Sequence, residues 1–395
     1  MSGEAKTDAK AGRTIPFFKA TIGEEEIASV VETLRSGWLT SGPKVRQFES
    51  DFAQFVGAKH AVAINSATAG LHLALEALGV GPGDEVLVPT MTFAATAEVV
   101  IHLGAKPVLV DCDPGNLNIC IEDMQRRRTE KTRAIMPVHY AGQACQMDEI
   151  HQFANDSKMA VIEDAAHAFP AAYKGTKIGT LSDVTVFSFY ANKTITTGEG
   201  GMCTTENDDL AARIKQMSLH GLSRTAWNRF SAKGSWYYEI EAPGYKYNMP
   251  DTAAAIGIGQ LNQANSFLDG RSRVASRYSE GLKDVDAVEF LTVSDDVDHA
   301  WHLFVIKLQL DKLKIDRSDF IVQLNEAGIG TSVHYTPLHL HPLYGERFGY
   351  QPDDFPNAKA VFEQIISLPI FESMTDDDVD YVIDVVKQIA DQNRR

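Results

Sequence analysis

The sequence predicts an α/β fold with a mostly parallel central sheet and a smaller C-terminal α+β domain. Two observations carry this. Short β-branched runs recur along residues 61–205, and segments of helical periodicity lie between most of them. Strands alternating with helices make parallel sheets covered on both faces. From about residue 270 the order changes to helix–strand–helix, which predicts the second unit.

Taken in order, residues 1–14 (MSGEAKTDAKAGRT) are polar and read as a disordered tail without a signal peptide's apolar stretch. A helix follows, with Ile27, Val30, Val31 and Leu34 at i, i+3, i+4 and i+7, acids in its first turn and Gly37 closing it. The expected strands are AVAIN (61–65), EVLVP (85–89), PVLVD (107–111), AIMPVH (134–139), AVIED (160–164), VTVFSFY (184–190) and GMCTT (201–205). Leu71, Leu75 and Leu78 mark one intervening helix. Residues 223–247 are rich in aromatics, Gly and Ser and follow neither period, which marks a functional or disordered loop. A last helix has Thr375 as its cap and Val379, Val382, Ile383 and Val386 on one face. The expected division is a tail at 1–14, a large domain at 15–265 that includes the first helix, and a small domain at 266–395.

Bulk composition narrows the function classes. Lys and Arg number 37 against 53 Asp and Glu, a net charge of −16. A surface so acidic disfavours nucleic acid and anionic membranes as partners. No run of about 18 apolar residues occurs, so no membrane-spanning helix is expected. Cys112, Cys120, Cys145 and Cys203 are scattered without a C-x-x-C pair and read as reduced thiols of a cytoplasmic protein.

Three strand ends carry chemistry, because ligands of such sheets collect at the carboxyl ends of strands. In NSATAGLHLAL, a small-residue turn leads into a helix, so Ala67 and Thr68 present backbone amides suited to a phosphate. In VIEDAAHA, Asp164 follows an apolar strand, where a carboxylate needs a cationic partner. A protonated pyridine nitrogen would serve, with His167 on the ring oxygen. In FSFYANKTITTGEGGM, Lys193 follows an apolar strand and precedes a Gly-rich turn, and Ser188 lies five positions earlier. A lysine in a partly apolar site loses pKa and becomes a Schiff-base nucleophile. Singly, these are a turn, a helix cap, a structural histidine and a solvated charge. Together they are the parts that a pyridoxal enzyme requires.

These strings, with SGWLTSGPKVRQFE, PTMTFAATAEVV, MPVHYAGQACQMDEI and APGYKYNMPDTAAAIGIGQL, resemble the DegT–StrS family of sugar aminotransferases from about residue 15 to 390. APGYKYNMPD, HAWHLFVIKL and SLPIFESMTDDD look like the branch that forms UDP-4-amino-4-deoxy-L-arabinose. The resemblance implies a fold-type-I (aspartate aminotransferase-like) transferase that uses pyridoxal 5′-phosphate. Lys193 would be the Schiff-base lysine, Asp164 the pyridine partner, and Phe93 the stacking ring where the arabinose branch carries tryptophan. Ala67, Thr68 and Ser188 would hold the phosphate. Family members are homodimers with shared sites, so Lys246 and Asn248 of GYKYN would reach the partner's cofactor. The implied reaction is ping-pong transfer of an amino group from L-glutamate, leaving 2-oxoglutarate, to a nucleotide-linked keto sugar in surface-glycan or lipopolysaccharide biosynthesis. Arg224, Trp227, Arg229, His334, Tyr335 and His339 are candidates for the substrate side. His339 and His341 lack an accompanying acid or thiol cluster, so no metal site is expected.

Two other readings remain. A pyridoxamine-dependent sugar dehydratase would carry histidine in place of the lysine, and this chain keeps Lys193. A non-catalytic regulatory homologue would be free to lose the site, yet Lys193, Asp164, Ser188 and Thr68 are all present.

Overall fold

A computed structural model describes residues 12–223 and 238–395. Helices α1 (Glu24–Ser36) and α2 (Pro43–Val56) lead into β1 (His60–Ile64). Then come α3 (Ala67–Ala77), β2 (Glu85–Pro89), α4 (Ala94–His102), β3 (Lys106–Val110), α5 (Ile121–Arg127), β4 (Thr132–Ile135), α6 (Met147–Ser157) and β5 (Ala160–Asp164). A short hairpin, β6 (Ala172–Tyr173) and β7 (Thr176–Lys177), precedes β8 (Val184–Ser188), β9 (Gly201–Thr205) and α7 (Asp208–Met217). Helices α8 (Asp251–Asn262) and α9 (Ala264–Leu282) are followed by β10 (Val288–Phe290), β11 (Val297–Asp298), β12 (Phe304–Leu308) and α10 (Arg317–Glu326). The chain ends with α11 (Pro342–Phe348), α12 (Pro356–Phe362), β13 (Ile365–Leu368) and α13 (Asp376–Gln392).

Strands at all seven expected places form one sheet in the order β1-β9-β8-β5-β4-β2-β3, but β4 spans 132–135 rather than 134–139 and β8 ends at Ser188 rather than at 190. Only β9 opposes its neighbours; the pairs from β8 to β3 are all parallel. Two apolar cores lie on its faces, one around Leu73, Val88 and Val186, the other around Phe52, Leu87 and Phe187. The alternation within β2 and β8 places successive side chains in opposite cores, as the pleat requires. A third core joins α9, α10 and α13 to the sheet β10-β12-β13. Thr375 caps α13 as expected, its hydroxyl accepting from the Asp378 amide at 3.1 Å.

Two further details differ from expectation. The tail lies outside the described residues up to 11, but Arg13 is tied down by ion pairs to Asp377 and Asp378. Helix α1 forms where predicted, yet its apolar stripe faces outward: Ile27 is 47% and Leu34 54% exposed. The buried side is polar. Glu26 caps its own helix at the Gly23 amide (2.9 Å) and accepts from Gln260 (3.0 Å) and Gln263 (2.7 Å) at α8. A fully bonded carboxylate is tolerated in the interior, so hydrogen bonding rather than hydrophobicity chose this face.

Candidate active site

The carboxyl ends of β5 and β8 and the start of α3 surround one cavity of about 460 Å³. Its walls include Ala67, Thr68, Phe93, Asp164, His167, Ser188, Lys193, His334 and Tyr335. Local chemistry places each. Ser66 caps α3 by accepting from the Ala69 amide (3.1 Å), which leaves Ala67 and Thr68 at a helix start with their amides outside the helical ladder. Gly201 of β9 allows that start to approach, since a Cβ there would meet the Ala67 nitrogen at 2.8 Å. Ser188 ends β8, and Lys193 stands in the turn beyond it.

Asp164 is buried at the end of β5, and among the described residues it forms no ion pair within 4.0 Å. Thr96 donates to its Oδ2 (2.9 Å) and the Ala166 amide to its Oδ1 (3.1 Å). Burial still lifts its pKa above the ordinary carboxylate value, with those bonds and Lys193 opposing. Burial also lowers Lys193 to about 8, against the attraction of Asp164. An amine at that value exists in both forms near neutrality, as a nucleophile and proton carrier requires.

His167 Nε2 lies 2.8 Å from the Tyr335 hydroxyl, and its Nδ1 is buried without a partner. Burial holds this ring neutral, far below the usual imidazole pKa. Behind the cavity, buried Glu163 accepts from His139 Nε2 (2.7 Å) and from Thr185 (2.9 Å). The Cys145 amide donates to His139 Nδ1 (3.1 Å), which leaves Nε2 to donate to Glu163. Phe93 is 61% exposed at the mouth, with its ring centroid 6.1 Å from that of Tyr335.

Other candidates lie elsewhere. His339 is not part of the cavity. It is buried against Phe355 with Nδ1 on the Thr90 hydroxyl (2.8 Å), a packing role enforced by the turn at 338–340. Lys246 and Asn248 bond to each other (2.7 Å) beside the end of β1 and do not line the cavity of their own chain. Arg224, Trp227 and Arg229 lie outside the described residues.

Sequence reasoning missed Thr96, Asn192, Glu199 and His302. The first three line the cavity, and His302 Nε2 is 3.3 Å from the Lys193 amine. The signal for His302 was a histidine heading an apolar strand, HLFVIKL, but nothing local ties it to a lysine 109 positions earlier.

The chain is 49% identical to the spore coat polysaccharide biosynthesis protein SpsC of Bacillus subtilis over 382 residues, covering 96% of this chain and 98% of that one. It is 52% identical to MJ1066 of Methanocaldococcus jannaschii over 380 residues, with the same coverage. Spr1654 of Streptococcus pneumoniae, described as a sugar aminotransferase and solved in PLP, PMP and apo forms, superposes with a TM-score of 0.90 at 35% identity. That match covers 96% of this chain and 98–99% of the other. The model of the DegT/DnrJ/EryC1/StrS aminotransferase family matches residues 20–387, and with these likenesses it shows that the chain belongs to that family.

Proposed function

We propose that this aminotransferase moves an amino group from L-glutamate to a nucleotide-linked keto sugar, a UDP-4-keto sugar in surface-glycan or lipopolysaccharide assembly. Its cofactor is pyridoxal 5′-phosphate. The observation that carries the reading is the convergence of Asp164, Lys193 and the free amides of α3 on one cavity.

The residues present fit the cofactor. A buried carboxylate without a cation suits a protonated pyridine nitrogen, and the start of α3 with Ser188 suits a phosphate. His167, accepting from Tyr335 at Nε2, has its Nδ1 hydrogen available for the ring oxygen. When bound, the cofactor supplies an aldehyde that captures amines and a ring that draws electrons from the α-carbon.

The chain's own residues do the rest. Asp164 keeps the pyridine proton in place, which strengthens that electron withdrawal. Phe93 would cover one face of the ring. Lys193 would hold the cofactor through its amine and, once free, would carry a proton to and from the substrate carbon. The same residues would serve the second half of the transfer, on the sugar ketone.

A homodimer with shared sites completes this reading. Phe18, Ile22, Ile27, Leu34, Trp38 and Leu39 form an exposed apolar run in the N-terminal segment. Surfaces of that kind mark protein interfaces. Lys246 and Asn248 would then serve the partner's phosphate. All four cysteines are unpaired, and among the described residues no helix is long and apolar enough to cross a membrane; both fit a cytoplasmic enzyme.

The test is an absorbance spectrum of the purified protein. L-glutamate should bleach a visible band to a near-ultraviolet one, and the accepting nucleotide-4-keto sugar should restore it. A loaded protein that ignores every amino acid, or colour that survives in Lys193→Ala, would sink the reading.

A further inference from the structure

The amine of Lys193 has one hydrogen-bond partner among the described residues, His302 Nε2 at 3.3 Å. That imidazole is held from two sides. Its ring packs on His167 with centroids 4.4 Å apart. Its backbone is anchored by the buried guanidinium of Arg271 on α9, which donates to the carbonyls of Trp301 (3.2 Å), His302 (3.4 Å) and Ile370 (3.1 Å). His302 itself is buried where the chain enters β12. The segment entering β12, anchored by α9, therefore brings a packed ring to the amine of Lys193.

We infer that His302 is the positioning residue of Lys193, holding its amine through Nε2 along the line on which it meets an aldehyde carbon. The inference rests on Lys193 being the cofactor-binding amine. A lysine stem is flexible, and a reacting nitrogen left to wander gives up the rate advantage of a set geometry. The charged and titratable groups facing the amine are Asp164, which favours the ammonium, and Arg271, His167 and His334, with His302 itself. Burial, and then Lys193, keep His302 uncharged. With its hydrogen on Nδ1, it accepts from the ammonium without adding a competing charge.

The experiment uses the full chain stripped of cofactor. Acetic anhydride labelling of Lys193, read by mass spectrometry across pH, gives the midpoint of the amine, expected near 8 in the wild type. His302→Leu should lower the midpoint by about one to two pH units, because a buried ammonium loses its acceptor. His302→Gln, whose amide reaches the place of Nε2, should keep it. At a pH above both midpoints, the visible band that grows on adding pyridoxal phosphate should form about tenfold more slowly in His302→Leu and be rescued in His302→Gln. An unchanged midpoint and rate in His302→Leu overturns the inference. Should that variant not fold, His302→Asn, whose amide falls short of Lys193, carries the same expectation and the same overturning result. Borohydride reduction then locates the cofactor. Fixation on a residue other than Lys193 defeats the reading of the site, whereas fixation on Lys193 with an unchanged midpoint and rate in His302→Leu defeats His302 alone.

Discussion

The Thr96 hydroxyl donates to Asp164 Oδ2 at 2.9 Å, across 68 residues of chain, and in turn meets the Thr92 hydroxyl at 2.8 Å. Those bonds hold a buried carboxylate without neutralising it. In the cofactor-free protein burial keeps the Asp164 pKa raised, so the folded state binds a proton that the unfolded chain releases. Stability therefore falls as pH rises from the ordinary carboxylate value through the raised one.

Asp164→Asn keeps the shape and can still accept from Ala166. At neutral pH its cofactor-free form should melt above the wild type, while loaded activity falls by about a hundredfold or more. Thermal melts and steady-state rates of the two proteins check both signs.

Lys193 gives the opposite slope. Its folded pKa of about 8 lies below the unfolded value of 10.5, so the unfolded chain binds the extra proton between them. Stability of the cofactor-free protein should rise with pH across that window. Lys193→Met should lose this component, and the difference between the two melting curves isolates it from other titrations.

Phe93 at the mouth of the cavity should act by ring area alone. Phe93→Ala is expected to weaken pyridoxal phosphate binding by about two- to tenfold, and Phe93→Trp to leave it unchanged. A cofactor titration followed by absorbance distinguishes them.

His339 should matter to stability and not to chemistry. His339→Leu takes away the ring partner of the Thr90 hydroxyl, which keeps only the residue-339 amide (3.3 Å), and should cost about 1 kcal/mol in denaturant unfolding. Its kcat/KM should stay near that of the wild type. A large loss of kcat/KM in a well-folded variant would return this residue to the site.

The proposed homodimer predicts complementation. Lys193→Ala and Lys246→Ala should each be impaired alone, and mixing the two after dissociation should restore about a quarter of the wild-type sites. Mixed protein no more active than its components would mean that Lys246 does not serve a partner.

Much of the site was legible because its parts are local. Ala67, Thr68, Asp164 and Ser188 lie at or next to strand ends, and an apolar run followed by a small-residue turn announces such an end in a few residues. The α1 stripe misled for the same reason. Periodicity reports that a helix has an apolar face, not what covers it, and here the covered side belongs to Glu26 and its amide partners.

By itself the sequence determined where the seven strands fall and the cap of α13, and it marked the residues from Ala67 to Lys193 that line the cavity, since each depends on neighbours close in the chain. Only the tertiary structure decided that His302 meets Lys193, that Tyr335 meets His167, and that His339 turns away to Thr90. Those meetings join residues more than 100 positions apart. They depend on strand order and on how the third core docks against the large sheet, and no local period encodes either.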